Sequence, residues 1–211
     1  MKRIFVIAAL VIAASLLASG QLKNKMTDQK ARESLAQWLA GHGVSQGGLI
    51  ISIAEAPISR AFPSHFFYAL SFRRYPVAQA LPEPLTYNNL FVAQPDGKVE
   101  LLSDTNALEA FFRAALAPVK NEDQAKDAVR AWLRLGEEFH QDGLFEFTIP
   151  EDTLALAREG GVIKVSGKAK VIPDGGNKGE ITASLIFNQN GGLVSASETG
   201  DVVAGPRPSN E

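Results

Sequence analysis

The chain of 211 residues contains no cysteine. That excludes a disulfide framework, a thiolate nucleophile, a Cys-ligated metal and a lipidated Cys behind a leader. Small secreted domains with thin cores usually staple themselves with disulfides. This chain must rely on apolar burial instead, which suits a bacterial periplasmic or cell-surface protein better than an animal secreted one. Charge of one sign is also scarce: 21 Lys and Arg face 23 Asp and Glu, for a formal net charge of −2. If Lys2 and Arg3 leave with a leader, 19 basic residues remain against 23 acidic ones. A mildly acidic body has no electrostatic handle for nucleic acid or anionic membrane. The sequence carries no HExxH and no Ser-x-x-Lys, so hydrolysis by a zinc ion or by a serine–lysine pair has no motif behind it.

What is present begins with an address. Met1-Lys-Arg and then Ile4–Leu17 form a positive n-region and an apolar h-region, and Ala18-Ser-Gly20 offers small residues for cleavage before Gln21. The uncharged run from Ile4 to Leu22 is near the minimum of about 18 residues for a spanning helix, so an uncleaved anchor is the alternative. Ser15, Ser19, Gly20 and Gln21 weaken its far end. The expectation is an exported, periplasmic or extracellular body, with membrane attachment through residues 4–22 only if the leader stays.

The body, 45% hydrophobic and 21% charged over the whole chain, reads as ordinary globular material. Its organising feature is a repeat. In the hairpin Leu90–Val99, residues Leu90, Gln94, Gly97 and Val99 recur at an offset of 95 as Leu185, Gln189, Gly192 and Val194. The same offset pairs Asp28-Gln29 with Asp123-Gln124, Gly41 with Gly136, and Gly48-Leu49 with Gly143-Leu144. A shared period at matching positions predicts a duplicated unit.

In the first unit, Thr27 or Asp28 caps a helix with Ala31, Leu35, Trp38 and Leu39 on one face, and Gly41-His-Gly43 stops it. Leu49–Ile53 reads as a short buried strand, and Pro57 and Pro63 bracket a connection. Phe66, Tyr68, Leu70 and Phe72 alternate along a strand with one fully apolar face. Thr86–Gln94 and Lys98–Leu102 are strands joined by Pro95-Asp-Gly97, a hairpin signal. Leu108, Phe111, Phe112 and Leu116 then form a helix that Pro118 ends and that docks the halves.

The second unit opens with Asn121 and Gln124 as a capping box, ahead of the helical face Val129, Trp132, Leu133, Gly136 and Phe139. Leu144–Ile149 is its first strand. Pro150-Glu-Asp152 should open a short helix closed by Gly160-Gly161. In the strand Ile163–Ile172, Ile163, Val165, Ala169 and Val171 face one way and the lysines the other. The predicted fold class is α+β: a tandem duplication of a helix packed on a four-stranded antiparallel meander, after a signal peptide at 1–20. The units span 27–104 and 121–199, with a connecting helix at 105–120 and a flexible tail at 200–211.

The leading helices Ala31–Leu39 and Val129–Phe139, with the hairpins Val92–Val99 and Phe187–Val194, give each unit a form that resembles the cystatin-like class of α+β modules. The unit is also similar to small secreted PepSY-type repeats, whose final hairpin turns on Asp/Asn-x-Gly. A tandem pair of such units looks like certain secreted proteinaceous enzyme inhibitors. The resemblance implies binding through a sheet.

Candidate chemistry is thin. Of three histidines, His42 sits in a helix stop, His65 opens a strand and His140 ends the second long helix; none has a partner at metal-ligand spacing. Glu137, Glu138, His140 and Asp142 make the best local constellation, and Glu138, His140 and Asp142 are the metal candidates, against the simpler reading of a solvated helix end. Lys164, Lys168 and Lys170 form a basic stripe on one strand face, with Arg73 and Arg74 in the corresponding part of the first unit. They are the candidate ligand-binding residues, although exposed strands favour Lys for solubility alone. The loop Asp174–Gly179 lacks the Gly-Lys-Ser/Thr ending of a phosphate loop and reads as a long hairpin connection.

The expected function is an exported, non-enzymatic binding or interaction module that acts through a sheet face or the cleft between units, restraint of a secreted enzyme being one form of such binding. No cofactor is expected, and the partner is a protein or small ligand of the cell envelope. The alternatives are a small metal-dependent or acid–base hydrolase and a membrane-anchored envelope structural module.

Overall fold

The computed structural model of the chain describes residues 26–44, 48–72, 81–86, 88–140, 146–173 and 176–205. The leader at 1–20, Arg73, Arg74, Asp142 and residues 206–211 of the tail lie outside them. The fold is α+β, with four α-helices and two antiparallel sheets among the described residues. Helix α1 (Asp28–Gly41) is capped by Thr27, whose hydroxyl accepts from Lys30 N at 3.3 Å. The first sheet follows as a four-stranded meander of β1 (Leu49–Ile53), β2 (Phe66–Ser71), β3 (Asn88–Ala93) and β4 (Val99–Leu102), with the short helix α2 (Ala56–Ala61) between β1 and β2. Helices α3 (Thr105–Ala115) and α4 (Glu122–His140) come next.

The second sheet holds β5 (Phe147–Thr148), β6 (Ala155–Glu159), β7 (Val162–Val171), β8 (Lys178–Phe187) and β9 (Leu193–Val203). β5 pairs with the end of β7 and β6 with its beginning, so both lie on one edge of β7, separated by a 3₁₀ turn at Glu151–Thr153.

Helix α4 lies between the sheets. One hydrophobic cluster joins Val129, Trp132 and Leu135 of α4 to Phe67, Leu90 and Val92 of the first sheet, and to Val165, Ala183, Leu185 and Phe187 of the second. Phe62, Phe111 and Phe112 fill the space beside it, Phe112 meeting the Trp132 ring edge-on at 5.2 Å. The opposite face of the first sheet, with Tyr68, Leu70 and Phe91, packs under Ala31, Leu35 and Leu39 of α1. The buried Tyr68 hydroxyl donates to the Asp28 carboxylate at 2.9 Å and ties β2 to the start of α1.

Several expectations are corrected here. The strand 66–71 has the expected apolar face, Tyr68 and Leu70 under α1, but its other face is not solvated: Phe67 is as buried as Tyr68, because α4, from the other half of the chain, covers it. β1 is a strand but not a buried one. It ends its sheet, and Leu49 and Ile51 are 61% and 51% exposed. The connection bracketed by Pro57 and Pro63 contains α2, since Pro57 in the first turn has a φ already suited to a helix. The helix expected from Pro150 to Gly160 is only one 3₁₀ turn before β6. Gly160 and Gly161, at φ +56° and +82°, instead form the two-residue turn of the β6–β7 hairpin, a turn that needs positive φ at both positions. Finally, β9 runs past Thr199 to Val203, because Gly200, Asp201 and Val202 find partners in Ile181, Glu180 and Gly179.

The two closing hairpins resemble each other, but not in the register of their identities. Gln94 N donates to Lys98 O at 2.8 Å, and Asn188 N donates to Gly192 O at 2.9 Å. Gly97 and Gly191 hold the matching positive-φ positions, +92° and +77°. The hydrogen bonds therefore correspond at an offset of 94, not the 95 that aligns Gly97 with Gly192. A one-residue shift matters in a strand because it exchanges the faces. At 94, Phe91 matches Leu185, and each faces the leading helix of its own half.

Candidate functional site

Where α2, the segment between α3 and α4, and the first turns of α4 meet, they enclose a cleft of about 600 Å³. Its apolar wall is Ala61, Leu116, Pro118 and Val119, and its polar wall is Arg60, Asp123, Asp127 and Arg130. Local sequence builds each side. Leu116 leaves α3 in an extended conformation ahead of Pro118. Val119 N then donates to Gly191 O at 2.9 Å, and a Cβ at Gly191 would lie 2.2 Å from Val119 O. Only glycine allows the segment so close to the second hairpin. Asn121 accepts from Gln124 N at 2.9 Å, and the Gln124 side chain accepts from Lys120 N at 2.7 Å. The expected cap thus forms, with its return bond one residue earlier than the standard box.

Asp127 is the centre of the polar wall. Its residue is 7% exposed. Arg60 grips it with both arms of the fork, Nε to Oδ2 at 2.5 Å and Nη2 to Oδ1 at 2.7 Å. Arg130 adds Nη1 to Oδ1 at 3.1 Å and reaches Glu151 through Nη2 at 2.5 Å. The Arg60 hydrogen bonds, opposed by burial and helped by the charge of Arg130, hold the Asp127 carboxyl below the usual aspartate range. The buried Arg130 Nε has no hydrogen-bond partner. Two cations and two carboxylates line the cleft, so it presents fixed hydrogen-bonding groups without net charge.

Farther along α4, Arg134 donates to Glu55 at 2.9 Å, to Glu137 at 3.0 Å and to Phe147 O at 2.7 Å. Burial raises the Glu137 carboxyl, against the opposing Arg134 hydrogen bond. His140 does not meet Glu138 in the manner of a ligand pair. Its Nε2 lies 2.5 Å from Glu198 Oε1, while Trp132 Nε1 donates to Glu198 Oε2 at 3.0 Å. The Glu198 side chain is 8% exposed. This bridge holds edge strand β9 against α4. Asp142, the third metal candidate, is outside the described residues, and among these no group of three His, Cys, Asp or Glu side chains is placed to hold a metal.

Lys164, Lys168 and Lys170 do share the outer face of β7, opposite Ile163, Val165 and Ala169 in the core. No helix among the described residues covers that face, where Ser166, Ser184 and Ser197 make a hydroxyl row across three strands. The stripe is less basic than it reads, because Lys168 pairs with Glu180 at 2.7 Å. That bond, and after it the charges of Lys168 and Lys170, lowers the Glu180 carboxyl. Whether Arg73 and Arg74 extend the stripe falls outside the described residues. His42 stacks on Trp38 with ring centroids 3.6 Å apart and donates from Nδ1 to Trp38 O at 2.8 Å. His65 lies edge-on to Phe62 and Phe111, and burial lowers its imidazole pKa.

Reading the sequence missed Arg60, Asp127, Arg130 and Glu198. Asp127 leaves one trace, an acid set among Ala125, Ala128, Val129 and Ala131 on a buried helix. Glu198 leaves another, an inward parity shared with Ala196 and Val202. No helix of the described residues is long and apolar enough to cross a membrane. No protein-family model, no curated protein and no solved structure matches this chain.

Proposed function

We propose that the chain is an exported, non-enzymatic binding module that takes its ligand in the cleft between its two halves. The observation that carries this reading is the cleft's construction. It is concave, it lies where the halves meet, and its charged groups are fixed in place before any ligand arrives. Sites of this kind concentrate at such junctions, and preformed polar groups reduce the ordering cost of binding. Charge balance and an apolar wall suit a neutral ligand with one greasy side, such as an extended peptide segment or a small amphipathic molecule. The outer face of the second sheet is the competing surface, favoured by its open row of hydroxyls and lysines.

Ala117 lines the cleft and is exposed, so Ala117→Trp fills it without disturbing the core. Immobilised wild-type body captures a stoichiometric partner from native cell-envelope extract, and Ala117→Trp with an unchanged melting temperature captures less than about a tenth as much. Equal capture by both proteins overturns the cleft reading. Loss instead in a Lys164→Glu, Lys168→Glu, Lys170→Glu variant moves the site to the sheet face.

Export is part of the proposal and rests on the n-region, h-region and small residues of positions 1–20. N-terminal sequencing of the protein recovered outside the cytoplasm is expected to begin at Gln21; a retained Met1 would favour the anchored module. The body itself we read as two copies of one unit. Supporting this are the order of a leading helix, an edge strand and a closing three-strand meander in each half, and hairpins that agree in hydrogen bonding once one residue is gapped.

A further inference from the structure

We infer that β1 is the contact through which two copies of this chain pair, antiparallel, edge to edge. β1 ends the first sheet, with β2 on one side and no strand among the described residues on the other. Edges of this sort are normally blunted by lysine, proline, a bulge or a covering element. The sequence Leu49-Ile-Ile-Ser-Ile53 has no such device, and its register with β2 is unbroken. Its Leu49 and Ile51 are the two most exposed large apolar side chains among the described residues, at 61% and 51%. The centre of the sheet is covered on both faces, by α1 on one side and by α2, α3 and α4 on the other, but the cover stops short of β1, where Leu49 and Ile51 stand in solvent on the Phe67 side. What remains open is the edge strand.

Charge selects the occupant. A two-fold axis through Ile51 sets Ile51 against Ile51 of the second copy and Leu49 against its Ile53, all on one face of a joined eight-stranded sheet. None of the five residues is charged, so the strand meets itself without repulsion. On the other edges, β4 carries Glu100, β6 carries Arg158 and Glu159, β9 carries Glu198 and Asp201, and β5 is only two residues long. Cross-strand apolar pairs stabilise such a junction on both sides of the axis. Five residues a side bury less than the roughly 800 Å² per partner of a stable complex. The dimer is therefore weak and forms at high concentration.

Sedimentation equilibrium on the body from Gln21 onward tests this without reference to the cleft. The wild type is expected to move from monomer to dimer between about 5 µM and 0.5 mM. Amide exchange across β1 should slow as the dimer fills. Ile51→Lys sets two ammonium groups against each other on the axis and should raise the dissociation constant at least about tenfold. Leu49→Lys should act in the same direction, and Val203→Lys on the β9 edge should have no effect. A wild type that stays monomeric at about 0.5 mM, or a dimer insensitive to both β1 variants, overturns the inference. A monomer would leave this edge for an extended segment of another protein.

Discussion

Replacing Trp132 by alanine is expected to cost about 3–5 kcal/mol, the range for removing a large aromatic ring from a packed interior. Urea denaturation followed by circular dichroism measures it. The indole is fully buried where α4, Phe112 and the second sheet converge. Its loss also removes the Nε1 donor to Glu198. Trp132→Phe separates the two contributions. It keeps most of the apolar volume but leaves a carboxylate oxygen of a side chain only 8% exposed without that bond, which costs about 1–3 kcal/mol. A Phe variant as stable as the wild type would show that the Glu198 bridge contributes nothing. With total stabilities of about 5–15 kcal/mol, that loss is a large share of what holds the fold, and the urea midpoint of the Ala variant should fall well below that of the wild type.

Asp127→Asn is expected to destabilise the fold by about 2–4 kcal/mol at neutral pH, since it removes the carboxylate paired with Arg60 and leaves Arg130 with Glu151 alone. The figure sits toward the low end because the Arg60 side chain is 58% exposed and recovers hydration, whereas that of Arg130 is 17% exposed and recovers little. The pH dependence fixes the cause. Asp127 has its carboxyl pKa lowered on folding, chiefly by Arg60. Its contribution is therefore complete above the ordinary aspartate value of about 3.9 and declines as pH falls through the lower folded value. The gap between wild type and variant should be widest at neutral pH and should close under acid. A gap independent of pH would assign the loss to packing.

How much of this was legible in the sequence depends on how far each contact reaches along the chain. The β7 alternation of Ile163, Val165, Ala169 and Val171 against three lysines, the Pro95-Asp-Gly97 turn and the Asn121–Gln124 cap all depend on neighbours within a few residues, and all form where expected. The helix stop at Gly41–Gly43 belongs with them. Errors arose where local chemistry serves two structures. A pair of glycines can end a helix or turn a hairpin, and the pairing of β6 with β7 decides for the hairpin. A β-branched run can be central or at an edge, and Leu49–Ile53 is at an edge. The cleft and the Glu198 bridge were invisible because Arg60 and Asp127 lie 67 positions apart and Trp132 and Glu198 lie 66 apart. No period or motif spans such distances, and the constellation beside His140 was chosen for closeness in sequence alone.

Helix α4 has a consequence for the integrity of the molecule. With its indole and alanine side wedged between two sheets, it is the shared wall of two rooms. Pull the second sheet away and Phe67, Leu90 and Val92 of the first lose their cover; pull the first away and α4 presents a greasy flank to water. Neither half is a freestanding object. A chain cut at the α3–α4 junction leaves two incomplete pieces, and the two sheets are expected to melt together in a single cooperative step.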